Sequence, residues 1–106
     1  MMLLTKANRK ALKPLYATDG DADALFTVKF FTGSATWFAK EFDGVDTFFG
    51  YVDLGMGCAE LGYFSLSELQ AVRGTFGLPV ERDRYYTPQT LSELQSDSVF
   101  GRVLSS

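Results

Sequence analysis

A chain of 106 residues suffices for one domain that buries roughly 65% of its unfolded surface and folds without covalent or metal staples. It holds 10 phenylalanines, 5 tyrosines and one tryptophan, but a single cysteine and no histidine, which excludes an internal disulfide, a cysteine-based zinc site, histidine bases and Ser-His or Cys-His nucleophile pairs. The net charge of −3 disfavours direct nucleic-acid binding, which calls for a basic face.

Thr5 is placed to cap a helix from Lys6 to Leu12 that Pro14 ends. Lys6, Arg9, Lys10 and Lys13 share one side of it as a solvated basic face. Residues 17–23 read as an acidic loop. Asp19, Asp21 and Asp23 resemble the opening of a calcium loop, but Phe30 stands where its closing glutamate belongs. Strands are expected at 25–32, 35–42, 48–53 and 58–64, each rich in aromatic or β-branched residues and separated by turns of about three to four residues. Connections that short force antiparallel neighbours.

Ser65 and Glu68 form a capping box for a helix with Leu66, Leu69 and Val72 inward and Gly74 as its stop. Glu81 to Tyr86 is suited to a short edge strand. Thr87-Pro88 reads as the start of a last helix reaching Gln95, with Leu91 and Leu94 inward. Val99, Phe100, Val103 and Leu104 fit either a strand or loose packing. The expected fold class is α+β: a four-stranded antiparallel meander, with a fifth edge strand, and two or three short helices. The whole chain, 1–106, forms a single domain: an N-terminal helix and linker at 1–16, the meander at 25–64, a helical and edge-strand segment at 65–95 and a tail at 96–106.

No run approaches the roughly 18–20 apolar residues of a membrane span. The N-terminal cations follow the short apolar start, the reverse of a secretory signal. A cytoplasmic location is expected.

Glu41–Gly50 (EFDGVDTFFG), Glu60–Leu69 (ELGYFSLSEL), Arg73–Asp83 (RGTFGLPVERD) and the N-terminal LTKANRKALKPLYAT together resemble the family catalogued as domain of unknown function 2958, over roughly residues 3 to 95. The resemblance implies a small bacterial accessory protein of plasmids, integrative conjugative elements or phages, and it brings no catalytic residue. The tail after Ser96 departs from the pattern.

Glu41, Asp43, Asp46, Asp53 and Glu60 lie on adjacent strands and turns, where two or three of them can converge on Mg²⁺ or form an acid/base pair. The simpler account has Asp43 and Asp46 capping turns and Glu60 pointing outward. Cys58 reads as a small buried strand residue. Arg73, Arg82 and Arg84 can clamp an anion or pair with nearby acids. The glycines make turns, since no phosphate-loop lysine follows them. Strand 35–42 has aromatics on both sides, so a second apolar face bearing Trp37, Phe49 and Tyr51 is expected to serve as an interaction surface.

The function these residues suggest is a non-enzymatic, acidic protein-binding domain, and the family resemblance implies that a mobile element carries it. With Trp37, Glu41, Asp43, Asp46, Phe49, Tyr51, Asp53 and Glu60 in contact, it would inhibit a host nucleic-acid-handling or defence complex in the manner of an anti-CRISPR or anti-restriction protein. It needs no cofactor, metal or catalytic residue, and acts as a monomer or weak homodimer. The alternative is a metal-dependent hydrolase or nuclease built on Glu41, Asp43, Asp46 and Glu60.

Overall fold

Four strands follow one another through tight turns in the computed structural model, which describes residues 3–96: β1 (Val28–Thr32), β2 (Ala35–Phe42), β3 (Thr47–Asp53) and β4 (Ala59–Ser65). A short strand, β5 (Glu81–Arg82), joins the outside of β1, giving the order β4-β3-β2-β1-β5 with every pairing antiparallel. The expected α+β meander and its fifth edge strand are therefore present. The first strand is shorter than anticipated, because Phe26 leaves the ladder and bridges to Gln89.

Two short helices flank the sheet. α1 (Lys6–Ala11) starts in a capping box in which the Thr5 hydroxyl accepts from the Asn8 amide and the Asn8 side chain accepts from the Thr5 amide. α2 (Leu66–Ala71) starts at Ser65, whose hydroxyl accepts from the Glu68 amide. Further helical turns occupy residues 91–96.

Two cap assignments need correction. α2 ends at Ala71 with Val72 as its C-cap, short of Gly74. Gly74 is instead a point of close approach, since a Cβ there would meet Thr32 Oγ1 at 2.5 Å. The last helix is capped by Thr90, not Thr87: the Glu93 carboxylate accepts from the Thr90 amide and the Thr90 hydroxyl accepts from the Glu93 amide. The capping-box spacing of Thr90 and Glu93 prevailed over the helix-opening preference of Pro88. The expectation for Val99 to Leu104 falls outside the described residues.

The sheet's first face carries the main core. Phe48 stacks between Phe42 at 4.5 Å and Phe64 at 5.1 Å, with Phe30 tilted against it at 5.6 Å. Leu3, Leu4, Leu12, Leu69 and Val80 close over these rings. Each fully buried phenylalanine is worth roughly 1.5–3 kcal/mol relative to exposure, so this stack dominates the fold.

A bulge in β2 decides what the second face presents. Ala39 pairs with Gly50, yet Glu41 pairs with Phe49, leaving Lys40 as an extra residue. A bulge of this kind sends two successive side chains to one side and re-aims those that follow. Lys40 and Glu41 thus both join Phe49 on the second face, while Phe42 returns to the first. Gly50 permits the close strand approach here, because a Cβ would sit 1.8 Å from the Phe38 carbonyl oxygen.

Candidate functional site

The second face begins with a buried carboxylate. Glu41 is only 1% exposed, and its oxygens accept from the Tyr16 amide at 2.8 Å, the Thr18 amide at 3.0 Å and the Thr18 hydroxyl. Burial pushes this carboxyl group up, but the Thr18 hydroxyl, the two amides and the nearby Lys40 charge outweigh burial and hold it below its ordinary value. A charged acid therefore pins residues 16–18 against the sheet. The pinned loop carries Tyr16 in a left-handed conformation, φ 69°, which is uncommon for a residue with a Cβ.

Pinning sets Tyr16 beside Tyr63 of β4. Tyr16 is 64% exposed and Tyr63 55% exposed. The Tyr16 hydroxyl pushes the Tyr63 phenol up; burial, the Tyr16 charge, Asp19 and Glu41 add to the shift. Phe49 lies beneath, edge-on to Tyr63 at 5.0 Å, with the Lys40 ammonium 5.4 Å from its ring centre. Leu61 shares this side of β4 and is also exposed. The result is a patch of two solvated phenols and a leucine over a half-buried phenylalanine, with Asp19 at its margin.

Of the residues expected here, Phe49 belongs to the patch and Glu41 supports it from below. Trp37 does not. It pairs with Val52, lies on the first face and is 7% exposed in the main core. This corrects its placement with Phe49 and Tyr51: strict alternation fails because Lys40 adds a residue between the tryptophan and the register of Phe49. Tyr51 lies on the second face but is buried with Phe26 and Leu94 rather than exposed for contact.

The remaining acids hold separate local positions. Asp43 Oδ1 accepts from the amides of Val45, Asp46 and Thr47, and these bonds lower its pKa. Asp46 accepts from the amide and hydroxyl of Ser67 at the start of α2. Asp53 accepts from the Gly55 amide, and Glu60 is exposed on β4. Among the described residues no group of three or more acidic or cysteine side chains is placed to hold a metal ion. Cys58 is exposed and precedes β4, correcting its reading as a buried strand residue. Arg73 donates to the Gln70 and Val72 carbonyls and Arg82 to the Leu3 carbonyl.

A cavity of about 250 Å³ opens at the other end of this face, lined by Lys29, Thr36, Phe38, Tyr51, Asp53, Tyr86, Gln89 and Leu94. It falls short of the roughly 300–1,000 Å³ typical of ligand pockets. Lys29 on its rim is paired with Asp83 at 3.6 Å.

Tyr16, Thr18, Leu61 and Tyr63 were not anticipated as site residues. The pairing of Tyr63 with Phe49 follows from the meander itself. Nothing in the chain signals that a tyrosine takes positive φ.

The model for the family described as "Protein of unknown function (DUF2958)" matches residues 3–98. The chain belongs to the DUF2958 family. No curated protein and no solved structure matches it. The match takes in every strand of this DUF2958 sheet and both halves of the Tyr16–Tyr63 patch. Among the described residues, no helix is long and apolar enough to cross a membrane.

Proposed function

We propose that this chain is a non-enzymatic protein-binding domain carried by a mobile genetic element, which occupies the basic groove of a host nucleic-acid-handling or defence complex in the cytoplasm. The reading rests chiefly on the pinned ring patch. Tyr16 and Tyr63 stand in water while Glu41 holds one of them in place. Tyrosine is the kind of side chain that anchors interfaces, combining large apolar area with a polar tip at low entropic cost.

Charge supports the choice of partner. Asp19, Asp21 and Asp23 are exposed in the loop that Glu41 pins, and the chain carries −3 overall. Such a surface is drawn to a positively charged groove, at a rate that falls with ionic strength. Carboxylates would take the place of phosphates there, and the tyrosines would supply contact area.

The test is capture from a bacterial host lysate by the tagged wild-type chain, by a Tyr16→Ala/Tyr63→Ala variant and by an Asp19→Asn/Asp21→Asn/Asp23→Asn variant, at about 50 and about 500 mM salt. A nucleic-acid-handling protein should be retained by the wild type at low salt and lost at high salt. Both variants should lose it while melting like the wild type. Retention that ignores salt, or that survives both variants, would refute the proposal.

A further inference from the structure

We propose that two copies of this chain pair edge to edge through β4, antiparallel and centred on Gly62, forming one continuous sheet. This goes beyond the binding reading and stands on the strand ladder. The β5 edge is two residues long and charged, with Asp83 next in sequence. β4 runs for seven residues without proline, lysine or arginine, and Glu60 is its single charge. Long edges are usually blunted by such residues, and this one is not.

The ladder shows which groups face outward. The Leu66 amide donates to the Asp46 carbonyl at 2.8 Å. Hydrogen-bonded pairs alternate with open ones along an antiparallel ladder. The bonded pairs between β3 and β4 are therefore Phe48–Phe64, Gly50–Gly62 and Val52–Glu60. The Asp43 amide bonded to the Thr47 carbonyl gives the same phase from the other side of β3. Ala59, Leu61 and Tyr63 must then point their N–H and C=O groups away from the sheet, as Ser65 does its N–H, its C=O serving as the N-cap carbonyl of α2. Among the described residues, no second strand pairs with that side of β4.

That outward row is symmetric about Gly62. A reversed second copy centred there sets Leu61 opposite Tyr63 of the other copy and Ala59 opposite Ser65, each twice, so the outward groups of Leu61 and Tyr63 all find partners and the Ser65 N–H meets the Ala59 carbonyl. Shifting the register by two residues loses bonded pairs. The centred register also sets Glu60 against Phe64 of the other copy, which keeps the two glutamates apart. Gly62 faces Gly62 in an open pair, where Cα atoms approach to about 4.5 Å.

The two-fold axis of such a pair is normal to the sheet, so both second faces lie on the same side. Leu61 and Tyr63 of each copy become neighbours, and the two ring patches join into one surface. A single strand edge lies at the small end of interface sizes, and both copies are acidic. The dimer is accordingly weak and tightens as salt screens the like charges.

Sedimentation velocity on the full chain, from about 5 to about 500 µM and at about 50 and about 500 mM salt, should show a monomer–dimer equilibrium that salt strengthens. The acid-steered partner binding proposed above weakens with salt, so failure of either idea is visible without the other. Gly62→Lys sets two ammonium groups face to face and should weaken the dimer about tenfold or more. Its fold should survive, because a Cβ at Gly62 meets nothing within 4 Å. Cys58→Ser/Gly62→Cys should cross-link under mild oxidation, since about 4.5 Å between Cα atoms lies within disulfide range. Cys58→Ser/Glu60→Cys should not. A monomer at every concentration overturns the proposal. So does a dimer indifferent to Gly62→Lys, or equal cross-linking at 60 and 62.

Discussion

The two faces of the sheet draw on the same aromatic residues and hold them by different physics. On the first, Phe30, Phe42, Phe48 and Phe64 pack on one another under Leu3, Leu4, Leu12 and Leu69. On the second, Phe26, Tyr51 and Leu94 seal one end, while at the other a charged Glu41 ties down a loop and leaves Tyr16 and Tyr63 in water. Stability is thus concentrated on one side, and the exposed rings that the proposed binding would use stand on the other. Substitutions on the two sides should therefore separate: those on the first cost folding, and those on the outer second face cost the proposed contact.

Phe48→Ala should show the largest effect. The ring is fully buried in the stack, and truncating a buried phenylalanine costs about 3–5 kcal/mol out of a typical total of about 5–15. Urea titration should find the unfolding midpoint lowered by about a third or more. A variant melting close to the wild type would mean that the first face does not carry the fold.

Glu41→Gln comes next and sharpens the contrast, because it strikes the polar pin of the second face. The replacement removes the charge from three bonds and turns an amide donor toward other donors, a loss of about 2–3 kcal/mol. The folded carboxyl pKa lies below the ordinary 4.5. Its contribution is therefore complete above that value and is lost as pH falls through the folded pKa. Stability measured against pH should drop on that acid limb in the wild type and drop less in Glu41→Gln. Identical acid limbs would show that Glu41 is not held as drawn.

Thr90→Ala should cost about 1 kcal/mol, as the loss of a helix N-cap does. It loosens the turns that carry Leu91 and Leu94 over the sealed end of the second face. The Tyr16 region should keep its protection from hydrogen exchange in this variant, since Glu41 holds it independently. Loss of protection at both ends together would mean that the second face opens as one unit.

Much of the architecture was legible because it depends on local chemistry. Short turns between aromatic strands admit only a meander, and Thr5 and Ser65 announce their helices. What escaped the sequence depends on one inserted residue. Lys40 has no feature that marks it as a bulge, yet it returns Phe42 to the side of Trp37 and sets Glu41 beside Phe49. The tryptophan was thereby read onto the wrong face and the glutamate read as a surface acid. Thr90 was legible in principle, because Thr-x-x-Glu is a capping box, but the proline two residues upstream carried the louder signal. Tyr16 was not legible: its position follows from hydrogen bonds to a residue 25 positions away, which no local pattern encodes.

The smallest expected effect tests whether the exposed rings form a unit at all. The Tyr63 phenol is held above its ordinary 10.0, first by the Tyr16 hydroxyl and then by burial and neighbouring negative charge. A raised phenol pKa favours the neutral ring, so the coupling is complete below about pH 10 and is lost as pH rises through the folded value. NMR titration of the tyrosine ring carbons should find Tyr63 ionising later than an unperturbed phenol. Tyr16→Phe should return it most of the way, with folding at neutral pH unaffected. Glu41→Gln should return it partly, because releasing residues 16–18 moves the same hydroxyl. If Tyr63 titrates at 10.0 in the wild type, the two rings act separately and the patch loses its support from below; if only Tyr16→Phe moves it, the rings are coupled but Glu41 is not what holds them together.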